Sequence, residues 1–207
     1  MAQIGLRHFK YSIIKDGKYT GVKEMVGAIT STPSLNVAEA ELYADDTVVE
    51  SAKEVTKGTL SLTVADDDDT VFAPLLGHTL TEEGEVLKSA DDIAPYVGFG
   101  RVLVKMVNGV RKYKAEFFVK VQFKPFANEG STKGESIEFK TPTVEGTIYS
   151  VATTVGEVSK MIYERHNTFD TDEEAQDYLD ELMKAPTDSS QNLENNELEN
   201  NEDEIQN

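Results

Sequence analysis

FGRVLVKMVNGVRKYKAEFFVKVQFKP, Phe99 to Pro125, decides the fold. Asn108-Gly109 separates two runs that alternate apolar and polar residues. Asn-Gly is the preferred pair for a two-residue type I′ turn, because both positions need positive φ. With those two residues as the loop, Val107 faces Val110, Val104 faces Tyr113, Val102 faces Ala115 and Arg101 faces Glu116. Tyr113, Ala115, Phe117, Val119, Val121 and Phe123 then share one face. Lys112, Lys114, Glu116, Lys120, Gln122 and Lys124 share the other. A slip of one residue would put the apolar sets of the two strands on opposite faces, so turn chemistry and side-chain pattern specify the same register. Lys105 opposite Lys112 is the one unfavourable pair, at a cost of about a few tenths of a kcal/mol when solvated.

Working outward, 207 residues suffice for one well-buried domain with appendages. Cysteine and tryptophan are absent, which removes disulfides, thiolate metal sites and cysteine nucleophiles and fits a reducing compartment. The first 18 residues lack the apolar core of a signal peptide, and no run approaches the roughly 18 apolar residues of a membrane span. Net charge is −18, and residues 166–207 contribute most of it, with 14 acidic side chains against Lys184 alone. A chain of this balance repels nucleic-acid phosphates.

Upstream of the hairpin, residues 6–15 read as a strand ending at the turn Asp16-Gly17-Lys18. Short β-type segments run from Val22 to Ser34, punctuated by Gly27 and Pro33. Residues 34–53, SLNVAEAELYADDTVVESAK, are acidic, weakly periodic and free of Gly and Pro. They read as an extended excursion, either a long loop or a β-arm, and long ordered excursions from compact domains are usually functional. Lys57–Ala65 is a strand with Leu60, Leu62 and Val64 on one face. Asp66–Asp69 then precede Val71, Phe72, Leu75 and Leu76, the pattern of an acidic helix N-terminus closed by Gly77. Pro74 confines that helix to a short one with the proline in its first turn. Residues 79–96 are polar, with a short strand at Glu85–Lys88.

Downstream, Glu135–Lys140 and Thr143–Val151 read as strands, and 156–165 as a possible last one. Thr171 and Glu174 form a capping box before Ala175, Tyr178, Leu179, Leu182 and Met183 at helical spacing, with Pro186 just beyond. Residues 188–207 are Asn, Glu, Gln and Asp with few apolar side chains and are expected to stay disordered. The pattern is mainly β: an antiparallel sandwich or barrel with one short helix after a central strand and a C-terminal amphipathic helix. Residues 1–155 form the β domain with the arm at 34–53. Residues 156–185 add a strand and helix, and 186–207 an acidic tail.

No constellation carries catalysis. The consecutive aspartates lack the alternating ligand spacing of a calcium loop and read as a helix cap. His8, His78 and His166 show no ligand or base spacing, and phosphate-binding and nucleophile-elbow motifs are absent. Gly98-Phe99-Gly100 reads as the approach to a strand. The hairpin lysines, interrupted by Phe118, leave two readings: a nucleic-acid stripe, or a solvated sheet face whose charges discourage edge pairing. No cofactor is expected.

Several blocks taken together resemble the major tail proteins, the tail tube proteins, of siphophages infecting Gram-positive bacteria. They are Tyr43-Ala44-Asp45-Asp46 with Val49-Glu50-Ser51, Gly58-Thr59-Leu60-Ser61-Leu62, and the acidic cluster before Val71-Phe72 with Leu75-Leu76-Gly77. The Gly98–Phe123 hairpin and Lys133–Phe139 with Thr141-Pro142-Thr143 complete the set, over about residues 4–150. The resemblance implies a structural virion protein, not an enzyme, assembled in the host cytoplasm. Subunits of that family form homohexameric rings that stack into a tube carrying DNA as passing cargo. Their partners are one another, the tape measure, tail terminator and distal tail proteins, and no membrane. The arm residues implied are Val37, Leu42, Tyr43, Asp45, Asp46, Val49 and Glu50. The implied barrel hairpin presents Arg101, Leu103, Lys105, Asn108, Gly109, Lys112, Lys114, Glu116, Phe118 and Lys120. Another phage β-sandwich, such as a tail terminator, decoration or host-binding module, is the alternative.

Overall fold

The computed structural model describes residues 2–44, 47–65, 68–126, 141–155 and 158–184. The strands are β1 (Ala2–Lys15), β2 (Lys18–Tyr19), β3 (Lys23–Met25), β4 (Ala28–Ala44), β5 (Thr47–Val64), β6 (Thr79–Leu80) and β7 (Val86–Leu87). They continue with β8 (Tyr96–Val107), β9 (Val110–Phe123), β10 (Thr143–Ile148), β11 (Val151–Val155), β12 (Val158–Ile162) and β13 (Glu164–Phe169). The helices are α1 (Asp69–Leu76) and α2 (Asp172–Lys184). The expected strand at Glu135–Lys140 and the acidic tail lie outside the described residues.

Nine strands form one antiparallel sheet whose path is β2-β1-β8-β9-β10-β5-β4, with β13 added to β9 and β3 to β1. The sheet folds over itself. Phe9, Tyr11 and Phe99 from one layer meet Leu60, Leu62, Val144 and Ile148 from the other, and Phe72 and Leu75 of α1 close the end. The fold is mainly β, as the alternation predicts. Pro33, which has no N–H to donate, falls on β4, the last strand of the path, where a missing ladder bond is tolerated.

The central hairpin has the register that its turn dictates. Val107 pairs with Val110, Lys105 with Lys112, Val104 with Tyr113, Val102 with Ala115 and Arg101 with Glu116. Asn108 and Gly109 have φ of 51° and 81°, as a type I′ turn requires. The register then shifts. Phe99 pairs with Phe118 but Val97 pairs with Val121, so β9 carries one extra residue at Val119-Lys120. This β-bulge corrects the single apolar face expected for the strand, because an extra residue reverses which side each later side chain takes. Before the bulge, Ala115 and Phe117 face α2, while Glu116 and Phe118 face the interior. After it, Val121 and Phe123 join Phe118 in the main core.

The bulge is also where the sheet forks. Tyr113–Phe118 of β9 pair with β13, and Val121–Phe123 pair with β10. At the fork the Val119 amide donates to the Tyr163 carbonyl, and the Tyr149 amide to the Lys120 carbonyl. One strand therefore serves two sheet branches. The side that β13 leaves open is covered by α2, whose Ala175, Leu179, Leu182 and Met183 bury against Val102, Ala115 and Phe117. Gly98 and Gly100 lie within β8 rather than ahead of it. A Cβ on Gly98 would meet Phe117 and Tyr19 at 2.7 Å, and one on Gly100 would meet Met183 at 2.9 Å. The missing side chain of Gly100 lets α2 approach, and that of Gly98 makes room for the Phe117 and Tyr19 rings.

Both helix ends follow their sequence signals. Asp68 caps α1, accepting from the Thr70 amide at 2.8 Å, and Gly77 closes it in the left-handed region. Pro74, expected in the first turn, is the sixth residue of α1. The carbonyl it leaves without an intrahelical donor belongs to Thr70, an exposed residue within reach of solvent. In α2 the Thr171 hydroxyl accepts from the Glu174 amide and the Glu174 carboxylate accepts from the Thr171 amide, the reciprocal capping box.

Candidate functional site

The excursion at 34–53 is the distal part of a long β-hairpin. β4 and β5 pair from Ala28↔Val64 to Ala44↔Thr47, whereas β10 flanks β5 only over Gly58–Thr63. Beyond Gly58 the two strands have ladder partners only in each other among the described residues, over about 30 Å at the usual rise per residue. The described side chains between Asn36 and Lys57 are all exposed. Extra residues in β5 at Thr56 and Val49 interrupt the ladder, and such bulges increase local twist.

Alternation along β4 divides the candidate arm residues. Val37 lies opposite Val55 on one face, and Leu42 lies opposite Glu50 on the other, beside Ala38, Ala40 and Ala52. Val49 sits at a bulge. Leu42 and Val49 are 60% and 62% exposed, so the arm offers apolar side chains that its own subunit does not cover. Tyr43 lies on β4, and Asp45 and Asp46 lie outside the described residues. An isolated two-stranded ribbon is at best marginally stable in water, so an arm of this length needs a surface to lie on.

The root of the arm is fixed by a buried ionic cluster that the sequence reading had placed on a solvated face. Arg101 and Glu116 are 5% and 6% exposed. Arg101 Nε and Nη2 donate to Glu116 Oε2 at 2.9 and 2.6 Å, and Lys114 Nζ donates to Oε1 at 2.6 Å. Burial alone would raise the Glu116 pKa. The Lys114 hydrogen bond and the Arg101 charge outweigh it and hold the carboxyl below its ordinary value. Arg101 Nη1 also donates to the Ser31 carbonyl of β4 at 2.6 Å, tying the central hairpin to the strand that becomes the arm. The directly opposed pair Arg101/Glu116 was visible in the sequence; its burial was not, because it depends on β4 folding over it.

The hairpin lysines do not form one stripe. The bulge sends Lys112 and Lys114 to the face opposite that of Lys120, and each has its own partner. Lys112 pairs with Asp170, Lys114 with Glu116, and Lys120 lies 3.9 Å from the Tyr96 ring centroid. Leu103 is buried, and Phe118 is a core residue rather than an aromatic step among solvated lysines. Lys105 stays near the turn, opposite Lys112.

The three histidines sit apart, each against a carboxylate. His8 hydrogen-bonds Asp172 at 2.9 Å, His78 Asp92 at 2.7 Å and His166 Glu164 at 3.0 Å. The first of these joins β1 to the first turn of α2, with Lys10 and Asp180 making a second tie at 2.8 Å. No group of three or more His, Asp and Glu suited to a metal ion occurs among the described residues. No helix among them is long and apolar enough to cross a membrane. No protein-family model matches the chain, and no curated protein matches it significantly.

Proposed function

We propose that this chain is a structural subunit that polymerises, as stacked homohexameric rings, into the tail tube of a phage. The observation that carries the reading is the β4–β5 arm. It is a ribbon about 30 Å long with exposed apolar residues on both faces, rigidly rooted through Arg101 and Ser31. Such an element is stable only when a neighbour covers it, and a second copy of the chain supplies that cover without a further partner. The strand order supports the same role. The sheet path ends in β4 at one side and in β2 and β3 against β1 at the other, with β13 a further edge off β9, and a subunit with edge strands loses them when copies close into a ring. The resemblance of the ordered sequence blocks to tail tube proteins supports stacked hexameric rings as the form of the assembly. DNA is passing cargo in this reading, and an acidic conduit keeps it sliding rather than bound.

Negative-stain micrographs of the concentrated protein test the proposal. Rings and stacked tubes are expected. A particle that stays monomeric at high concentration and is missing from purified tails overturns it. Single rings that never stack favour a tail terminator instead.

A further inference from the structure

A second surface lies on the outer face of the sheet, past the bulge, far from the arm tip. Lys120 Nζ sits over the Tyr96 ring at 3.9 Å, and Tyr96 stacks edge-on against Tyr149 with centroids 5.6 Å apart. Lys57 Nζ lies 5.5 Å from the Tyr149 ring. The row Lys120–Tyr96–Tyr149–Lys57 therefore sets two stacked rings between two cations. Tyr96 and Lys120 also floor a groove of about 560 Å³ between the Asp16-Gly17 turn and Val151-Ala152. That turn carries Lys15 and Lys18, directly opposed, so Asp16 is outnumbered by Lys15, Lys18, Lys57 and Lys120. In a chain of net charge −18 this is a locally cationic, aromatic face. Neither Lys57 nor Lys120 has a carboxylate within salt-bridge distance among the described residues.

We propose that the occupant of this groove is the chain's own acidic segment, residues 188–207. Two observations select it. The first is where α2 ends. Leu182 and Met183 belong to the same buried cluster as Tyr19, Val22 and Val119, and the Tyr19 hydroxyl donates to the Val119 carbonyl at 2.9 Å. α2 therefore ends on the sheet face that carries Val119, next in sequence to Lys120, and Tyr19, which follows the Asp16-Gly17 turn of the groove, and the chain continues from there. The second is charge. Residues 188–207 hold seven carboxylates and no basic side chain, with Leu193, Leu198 and Ile205 spaced among them. Carboxylates suit the lysines, and the three aliphatic side chains suit the tyrosine rings and Val151. The contact is electrostatic and solvent-exposed, so salt screens it. The Debye length falls from about 10 Å at 0.1 M to about 3 Å at 1 M. The docked segment also masks a cationic surface that a polyanion would otherwise find.

Carbodiimide cross-linking tests this on the full chain, because the reagent joins a lysine amine to a carboxylate only when they touch. An equal mixture of unlabelled and nitrogen-15-labelled protein, digested and analysed by mass spectrometry, separates links within a chain from links between chains. We expect light–light and heavy–heavy links from Lys57 and Lys120 to Glu194–Glu204. They should exceed those to the control lysines Lys88 and Lys160 at least fivefold at 0.05 M salt and fall to the control level at 1 M. A protein truncated after Pro186 should gain binding to single-stranded DNA, and Lys57→Ala with Lys120→Ala should abolish that gain. Mixed light–heavy links as abundant as unmixed ones would assign the groove to a neighbouring copy and overturn the intrachain proposal. Links spread evenly over all exposed lysines overturn it too, as does full-length protein that binds DNA as well as the truncated form.

Discussion

Two antiparallel hairpins of similar length dominate this molecule and have opposite surroundings. The β8–β9 hairpin is covered on both faces, by the folded-over sheet on one and by α2 on the other. The distal β4–β5 hairpin is covered on neither. Both are paired along their length apart from bulges, so backbone hydrogen bonding does not distinguish them. Burial does: Phe99, Phe117, Phe118 and Val121 of the central hairpin are 0–1% exposed, while Leu42 and Val49 of the arm are mostly exposed. At about 25 cal/mol per Å² of buried apolar surface, the first hairpin can hold a fold together and the second cannot hold itself. A long ribbon kept in this condition is what the proposed assembly would account for.

Removing the arm is the most direct way to break the comparison. Deleting Val37–Lys53 joins Asn36 to Glu54-Val55-Thr56 as a three-residue loop closing onto Lys57, its existing ladder partner. The shortened protein should keep its circular dichroism spectrum and its unfolding midpoint, and form no long tubes in micrographs. Tubes of normal length from a folded deletion protein would sink the arm's assembly role.

The opposite manipulation is Phe118→Ala. Its ring lies in the main core beside Phe99 and Phe123, and truncating such a side chain costs about 3–5 kcal/mol. A fall in the urea midpoint of that size is expected. The matching arm substitution, Leu42→Ala, should change subunit stability by less than about 0.5 kcal/mol, as surface changes do. Equal effects would mean that the arm is packed within its own subunit.

Much of this contrast was legible in the sequence, for different reasons in the two hairpins. Asn108-Gly109 fixes a register, and the register places Arg101 opposite Glu116 before any tertiary structure is known. The excursion at 34–53 lacks alternation, and its described side chains from Asn36 onward are exposed on both faces, so no buried face selects a period of two. What could not be read was the bulge at Val119-Lys120. Apolar and polar residues keep alternating through it, and an extra residue leaves no mark in composition. With it went the burial of Glu116 and Phe118, the split of the lysines between two faces, and the fork to β13. Glu164–Phe169, ERHNTF, has no apolar alternation because its faces are largely exposed, and it becomes a strand by pairing with β9. Tertiary context decided each of these.

The buried ionic cluster gives a third, pH-dependent test. Glu116→Gln leaves Arg101 and Lys114 facing a neutral amide, and breaking a buried pair costs about 3–5 kcal/mol. The Glu116 pKa is lower in the folded protein than in an unfolded chain. Its stabilisation is therefore complete above the unfolded carboxylate value of about 4.3, and is lost as pH falls through the lower folded value. Urea midpoints of the parent should fall more steeply than those of Glu116→Gln as the pH drops below about 4. The double substitution Arg101→Met with Glu116→Leu should recover much of the loss, since apolar groups of similar volume often replace a buried pair at little cost. If it instead loses tubes while keeping stability, the cluster's importance lies in aiming the arm.

A substitution of similarly small expected effect is the most discriminating, because it uses an ion pair that crosses the arm's own two strands. Glu39 and Lys53 face each other directly on β4 and β5 at 2.8 Å, the same opposed geometry as Arg101 and Glu116, but with side chains 51% and 62% exposed. In water such a pair is worth about 0.2–1 kcal/mol and is screened by salt. Lys53→Ala should therefore move the unfolding midpoint of the dissociated subunit by no more than that, and less at 0.5 M salt. In assembled tubes the same substitution samples whatever covers the arm. If a neighbour desolvates the pair, removing Lys53 leaves Glu39 buried without its partner, and the penalty grows toward the value expected for Glu116→Gln. Measuring Lys53→Ala in dissociated and assembled protein therefore reports directly whether the exposed ribbon becomes an interior one. An effect equally small in both states would leave that face of the arm in water after assembly and assign the contact to the face bearing Leu42.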